Sequence, residues 1–138
     1  LPVALEWAVI AKIAAHFAGI ILPVLITLPV AGLLLNIHPE SVLPVMATML
    51  TGAPALVMLG GIGAALAVAV RRAALLTVLI VTPLYVPVIV FGAGALSTAV
   101  SVPGTLDVTA LGVLALISTA TVFLAPPAIA AALRAGLR

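Results

Sequence analysis

Two ionisable side chains lie close together in an apolar stretch near the beginning of the chain. Lys12 and His16 are four residues apart in the segment KIAAHF, a spacing that places both on one face of a helix. Ionisable groups inside a membrane are costly and are therefore candidates for a functional site. We expect Lys12 to lie near enough to the membrane surface for its ammonium group to reach it. For His16 two interpretations stay open: a neutral imidazole hydrogen-bonded between helices, or a ligand or coupling role.

The remaining chemistry-bearing residues do not form a catalytic set. The three carboxylates are Glu6, Glu40 and Asp107, and the layout derived below places Glu6 on the opposite face of the membrane from the other two. His16 and His38 are likewise expected on opposite faces, so they cannot chelate one metal ion. The chain has no G-x-x-x-x-G-K-[ST] loop for ATP and no cysteine for disulfides or thiolate sites. These features predict a non-catalytic protein.

The composition predicts an all-α membrane protein. Of the 138 residues, 66% are hydrophobic and 6% charged, whereas a soluble domain carries about a quarter charged residues. This excess of apolar residues indicates that the lipid bilayer is the surrounding medium. The five basic residues are too few and too scattered for nucleic-acid binding. A spanning helix needs about 20 apolar residues, and the strict alternation of barrel strands is absent. We predict one transmembrane domain over residues 1–138, with spans at approximately 7–35, 42–70, 73–100 and 108–133.

Basic residues predict the orientation of these spans. Lys and Arg concentrate in cytoplasmic connections near the membrane. The short connections make neighbouring spans antiparallel, so all the basic residues fall on one side, namely Lys12, Arg71, Arg72, Arg134 and Arg138. The two connections on the other side, NIHPES and SVPGTLD, contain none. We therefore predict that the Arg71–Arg72 connection and the C-terminus are cytoplasmic, with the arginine pair as a helix stop and topology anchor.

Proline and small residues interrupt the apolar spans. Interior prolines remove a backbone hydrogen bond and tend to kink a helix, and we single out Gly52, Pro54, Pro83 and Pro87 as candidates for coupling a shape change. Tyr85, between the last two, is a candidate for a hydrogen bond across helices. Pro23, Pro29, Pro126 and Pro127 also lie inside the predicted spans.

The second span also carries small residues four apart, such as Gly60 with Ala64 and Gly61 with Ala65. This spacing lets two membrane helices approach closely. The span is longer than the hydrocarbon core requires. It therefore has to tilt, kink near Gly52–Pro54, or begin as a re-entrant piece.

Several stretches resemble a known family over nearly the whole chain. They are LEWAVIAKIAAHFAGIILPVLITLPVAGLLL, MLTGAPALVMLGGIGAALAVAVRRAALLTVLIVTPLYVPVIVFGAGAL and LAPPAIAAALR. The most specific parts are the AK…AH pattern at Lys12 and His16, the Gly52–Pro54 turn, the Arg71–Arg72 pair and PLYVPVIVF. These residues are similar to the haem exporter protein B family, CcmB, the membrane subunit of an ABC transporter used in cytochrome c maturation.

The resemblance implies a fold, partners and a location. The chain would correspond to spans three to six of a six-span, ABC-2-like exporter subunit in the bacterial inner membrane. It would lack two N-terminal helices and most of the cytoplasmic coupling segment, and the Leu at residue 1 agrees with such a piece. Expected partners are an ABC ATPase subunit that binds the ATP, a haem-handling membrane subunit and a haem chaperone.

The resemblance also implies a function, with alternatives left open. The expected function is to couple ATP hydrolysis by the partner to haem export or to release of the haem-loaded chaperone. Haem would be handled or transported, with His16 as its weak candidate ligand. A compact haem cavity is not evident from the sequence, which favours mechanical coupling over a haem pore. The alternatives are an unrelated secondary transporter or channel subunit, which should show inverted repeats and midplane polar groups, and a passive assembly subunit.

Overall fold

Four long helices form the part of the chain described by the structure, a computed structural model. The description covers the backbone of residues 2–69 and 74–136 and the side chains of residues 7, 8, 10–67, 79 and 81–134. The helices are α1 (Pro2–Leu34), α2 (Pro39–Ala69), α3 (Ala74–Ser101) and α4 (Val108–Gly136). Each contains a segment long and apolar enough to cross a membrane. The predicted all-α membrane bundle of four helices is confirmed.

The second helix begins earlier than the sequence predicted, at Pro39 instead of residue 42. Proline suits the first helical position, where its missing N–H is not needed, and the acidic Glu40 lies in the first turn, where it favours the helix dipole. From there α2 is continuous to Ala69. The re-entrant alternative for this span is therefore wrong.

The connection between α1 and α2 is a tight turn with its own hydrogen bonds. Asn36 has φ of 57°, its N–H donates to the Leu33 carbonyl at 3.2 Å, and the Ile37 N–H donates to the Gly32 carbonyl at 2.8 Å. This pair of bonds is the Schellman ending of a helix, in which asparagine tolerates the left-handed conformation. His38 then caps α2, since its Nδ1 accepts from the Glu40 N–H at 3.4 Å.

In the connection between α3 and α4, a polar side chain also forms a hydrogen bond with the backbone. Gly104 has φ of 78°, a conformation that glycine adopts without a side-chain clash. The Asp107 carboxylate accepts from the Ala110 N–H at 2.9 Å, which is the N-cap arrangement that satisfies a free donor of the first turn. A Cβ on Gly104 would lie 3.7 Å from Glu40 Oε2, so the two connections lie at the same end of the bundle.

Helices α2 and α4 form the central pair of the bundle, and α1 and α3 flank it. Both flanking helices contact α2 and α4, but in the described part of the chain they do not contact each other. Leu114 of α4 is fully buried with Ala55, Leu59 and Val88, and a Cβ on Gly52 would lie 3.7 Å from its Cδ2. Most side chains of α1 are exposed, as expected of a helix that faces lipid.

A side-chain hydrogen bond joins the central pair. The Ser118 hydroxyl of α4 donates to the Thr51 carbonyl of α2 at 2.5 Å. Nearer the Lys12 end of the bundle, a Cβ on Gly61 would lie 3.0 Å from Ile129 Cδ1, so a larger residue there would displace Ile129. The small residues of α2 therefore serve close packing against α4, as their spacing predicted.

Replacing Leu114 by Ala tests this packing. Its side chain is completely buried, and the cavity left by removing it should lower the free energy of unfolding by about 2–5 kcal/mol. The measurement is a reversible unfolding titration in mixed detergent micelles.

Leu116→Ala is the matched control, because Leu116 is 72% exposed on the same helix. We expect it to change the free energy of unfolding by less than about 1 kcal/mol. Equal losses for the two variants would contradict the proposed α2–α4 core.

Candidate functional site

A groove opens where α1 and α3 do not meet. Its volume is about 910 Å³, within the range of about 300–1,000 Å³ that ligand sites occupy. We call it the α1–α3 groove. Its lining comes from all four helices and consists of Lys12, Ile13, His16, Ile20, Leu56, Val57, Gly60, Gly61, Ala64, Ala65, Tyr85, Ile129 and Leu133.

The two ionisable residues singled out in the sequence both line this groove. Lys12 and His16 project from α1, and both side chains are exposed. Neither makes a hydrogen bond or an ion pair with a described residue. The bond between helices that one interpretation assigned to His16 is therefore not seen among the described residues, and the imidazole is free to meet a ligand.

Tyr85 contributes the polar group of the facing wall. Its hydroxyl donates to the Leu56 carbonyl of α2 at 3.3 Å, the hydrogen bond across helices that its position suggested. Gly60 gives this hydroxyl its space, because a Cβ there would lie 3.2 Å from the Tyr85 oxygen. The bond therefore fixes how far α3 stands from α2 at the edge of the groove.

The other candidate residues lie elsewhere. Gly52 is buried and Pro54 is half-buried within α2, whereas Pro83 and Pro87 are exposed on α3. None of these lines the α1–α3 groove. The Arg71–Arg72 pair lies outside the described residues.

The groove itself was missed by the sequence analysis. Its floor is the small-residue stripe of α2, and Gly60 and Ala64 on this stripe are exposed. Small residues four apart predicted a close helix contact, which Gly61 makes with Ile129. The neighbouring stripe at Gly60 stays open because α1 and α3 lie apart. The sequence has no pattern that predicts this distance.

The arrangement suits binding more than catalysis. The described lining residues include no carboxylate, and their charge comes from Lys12. Among the described residues, no three His, Asp or Glu side chains lie together in a way that could hold a metal ion. The groove thus offers a long apolar surface with basic groups on one wall.

Comparison with known proteins gives a consistent match over the chain. Residues 1–136 match the sequence profile of the family described as CcmB protein. "Heme exporter protein B" of Paracoccus denitrificans is 47% identical over 137 residues, which are 99% of this chain and 62% of that protein. The protein of the same name in Rhodobacter capsulatus is 40% identical over 142 residues, again 99% of this chain and 62% of that protein.

A third relative extends the comparison. "Heme exporter protein B" of Bradyrhizobium diazoefficiens is 40% identical over 133 residues and covers 96% of this chain. The match is 60% of that protein's length. The chain thus spans about three fifths of the curated relatives it matches.

Replacing Gly60 by Ala tests the contact at the groove edge. The added methyl group should push the Tyr85 hydroxyl away from the Leu56 carbonyl, a bond of a kind worth about 0.6 kcal/mol. Gly92→Ala on α3 is the matched control, because a Cβ there meets nothing within 4 Å. Both variants gain helix propensity equally, so the difference between their unfolding free energies isolates the contact.

We expect Gly60→Ala to be less stable than Gly92→Ala by about 0.5–1.5 kcal/mol. The difference should shrink when Tyr85 is replaced by Phe in both proteins. An unchanged difference in that background would show that the hydroxyl is not responsible.

Proposed function

Because the chain belongs to the CcmB protein family, we propose that it is the transmembrane core of the membrane subunit of a haem exporter. The relatives' name supports haem as the handled molecule. The four apolar helices support a multi-pass subunit that works inside the bilayer. Since the chain spans 62% of these relatives, the activity is assigned to the whole protein and not to this part alone.

The proposed source of energy is a partner ATPase of the ABC type. The sequence has no phosphate-binding loop of its own, so ATP would be bound and hydrolysed by the partner chain. Further proposed partners are a haem-handling membrane subunit and a haem chaperone. The work done would be export of haem or release of the haem-loaded chaperone in cytochrome c maturation.

The observation that carries this proposal is the separation of α1 from α3 over a well-packed α2–α4 pair. Buried Leu114 and the bond from Ser118 to Thr51 hold the central helices together. In the described part of the chain the flanking helices do not contact each other, so their spacing can change without breaking a contact between them. Pro83 and Pro87 remove backbone hydrogen bonds from α3, which supports bending of this helix.

The distribution of charge supports a cytoplasmic location for one end of the bundle. Lys12 lies in the groove together with Leu133, the neighbour of Arg134 in sequence. Glu40 lies near Gly104 at the other end. Since basic residues favour the cytoplasmic side, we propose that the Lys12 end faces the cytoplasm of a bacterium, in its inner membrane. The Arg71–Arg72 connection and the C-terminus would share that side.

Deleting the gene and restoring it on a plasmid tests the function. We expect c-type cytochromes to be lost on deletion and restored by the full-length protein. The full-length protein should also retain an ATP-binding subunit when it is solubilised gently. Measurements are haem staining of membrane proteins and identification of co-purified chains by mass spectrometry. Normal cytochromes after deletion, together with no retained ATPase, would refute the proposal.

Replacing His16 by Ala tests the proposed role of the groove in that function. Since His16 is exposed and makes no hydrogen bond with a described residue, we expect normal membrane insertion but a loss of c-type cytochrome yield of roughly two- to ten-fold, the range expected when coupling weakens by about 0.5–1.5 kcal/mol.

Leu22→Ala is the control for this prediction. Leu22 is 56% exposed on α1 and does not line the groove, so cytochrome yield should be unchanged. Wild-type yield from His16→Ala would show that the imidazole has no functional role.

A further inference from the structure

The described lining of the α1–α3 groove lies on one side of the midpoints of the apolar segments. In the apolar segment Ile10–Leu34 of α1, all four lining residues precede the midpoint at Leu22. In the segment Pro39–Ala67 of α2, all six lining residues follow the midpoint at Ala53. The lining residues Ile129 and Leu133 of α4 obey the same rule, since they lie late in Val108–Arg134. Tyr85 of α3 lies at the same level as Leu56, to whose carbonyl its hydroxyl donates.

The polar and apolar parts of the groove lie at different depths. Lys12 is ten residues before Leu22 along α1, which at about 1.5 Å per residue is about 15 Å from the midplane. That distance is half of the ~30 Å hydrocarbon thickness, so a membrane centred on Leu22 would have its headgroups at the level of the ammonium group. Ile20 and Leu56 are two and three residues from the middle of their segments, so the opposite end of the groove lies close to the midplane.

These depths match the dimensions of a lipid from one leaflet. A phospholipid has a charged headgroup at the membrane surface and acyl chains that end near the midplane. The groove repeats this order, with Lys12 at the surface and apolar side chains and the Gly60–Ala64 floor below it. A transmembrane helix would instead cross both leaflets, whereas the groove ends halfway.

Charge determines which kind of lipid fits. Among the described residues, the lining of the groove contains the ammonium group of Lys12 and the imidazole of His16 on α1 and the Tyr85 hydroxyl on α3, and no carboxylate. Lys12 makes no ion pair with a described residue. A negatively charged phosphate would supply the missing counter-charge, and a zwitterionic headgroup would do so less well.

We propose that the α1–α3 groove is a binding site for an acidic phospholipid of the leaflet on the Lys12 side. The phosphate contacts the Lys12 ammonium group, and an acyl chain lies along Ile13, Ile20 and Leu56. The bound lipid fills the space between α1 and α3 and sets their separation. This site goes beyond the proposed exporter function and does not depend on what the protein transports.

Native mass spectrometry of the full-length protein in detergent tests the proposal. The probes are dioleoylphosphatidylglycerol and dioleoylphosphatidylcholine, added in equal amounts. We expect preferential retention of phosphatidylglycerol. Lys12→Gln should reduce this preference about five-fold, the effect of one basic residue near an anionic headgroup. Lys12→Arg keeps the charge and should keep the preference.

Two substitutions by Phe distinguish lipid bound in the groove from lipid bound elsewhere on the bundle. Ala64→Phe fills the floor of the groove and should abolish the preferential retention of phosphatidylglycerol. Ala93→Phe is the matched control, because Ala93 is exposed on α3 and does not line the groove. Both proteins should run as single species on size-exclusion chromatography, which checks that they are folded.

Three results would overturn the proposal. The first is equal retention of the two lipids by the unmodified protein. The second is a loss of lipid that Ala64→Phe and Ala93→Phe share. The third is that Ala64→Phe displaces another molecule in place of lipid. That molecule would be haem, recognised by its mass and its Soret absorption, or a further polypeptide. Because cytochrome yield is not the readout, failure here leaves the exporter proposal separately testable.

Discussion

The close contact between α2 and α4 is the constraint on which the rest of the structure depends. Lipid chains are as apolar as the helices, so burial of apolar surface does not hold membrane helices together, and packing and hydrogen bonds must do so. Small residues of α2 let α4 approach, with Leu114 against Gly52 and Ile129 against Gly61. The bond from Ser118 to the Thr51 carbonyl adds a polar link inside this contact.

The groove is a consequence of that central pair. Two helices in contact present a cleft on either side, and α1 and α3 each occupy part of the surface that remains. Because the described parts of α1 and α3 do not meet, one stripe of α2 is left uncovered at Gly60 and Ala64. Tyr85 holds one edge of the opening through its bond to Leu56. Small residues of α2 thus provide a tight contact with α4 at Gly52 and Gly61 and an open floor at Gly60 and Ala64.

The two ionisable side chains of the groove lie on the helix whose surface is least buried. Lys12 and His16 lie on α1, whose spanning segment is the least buried of the four, and both point to a space without a protein partner among the described residues. Polar groups at a bundle interface normally pair with other groups. A ligand that binds these two side chains would lie between α1 and α3 and would influence the distance between the two helices. The proposed lipid site and the proposed change in helix spacing therefore involve the same groove.

The sequence alone determined the four spans, their antiparallel order and the residues able to carry charge inside the bilayer. These properties follow from local composition, because length and hydropathy decide whether a segment can cross the hydrocarbon core. The resemblance to the CcmB family rested on local motifs and is confirmed by the match over residues 1–136. The start of α2 at Pro39 was missed because proline and polar residues at a helix N-terminus resemble a loop in a hydropathy reading.

Only the tertiary structure decided which faces of the helices meet. The helices are apolar all round, so no amphipathic stripe marks the buried side, and the contact of Leu114 with Gly52 or of Tyr85 with Leu56 joins positions far apart in the chain. For the same reason the sequence identified Lys12 and His16 as unusual but did not show the groove beside them. That groove exists because α1 and α3 stand apart, and the distance between two helices is set by the residues that pack between them, not by the composition of either one.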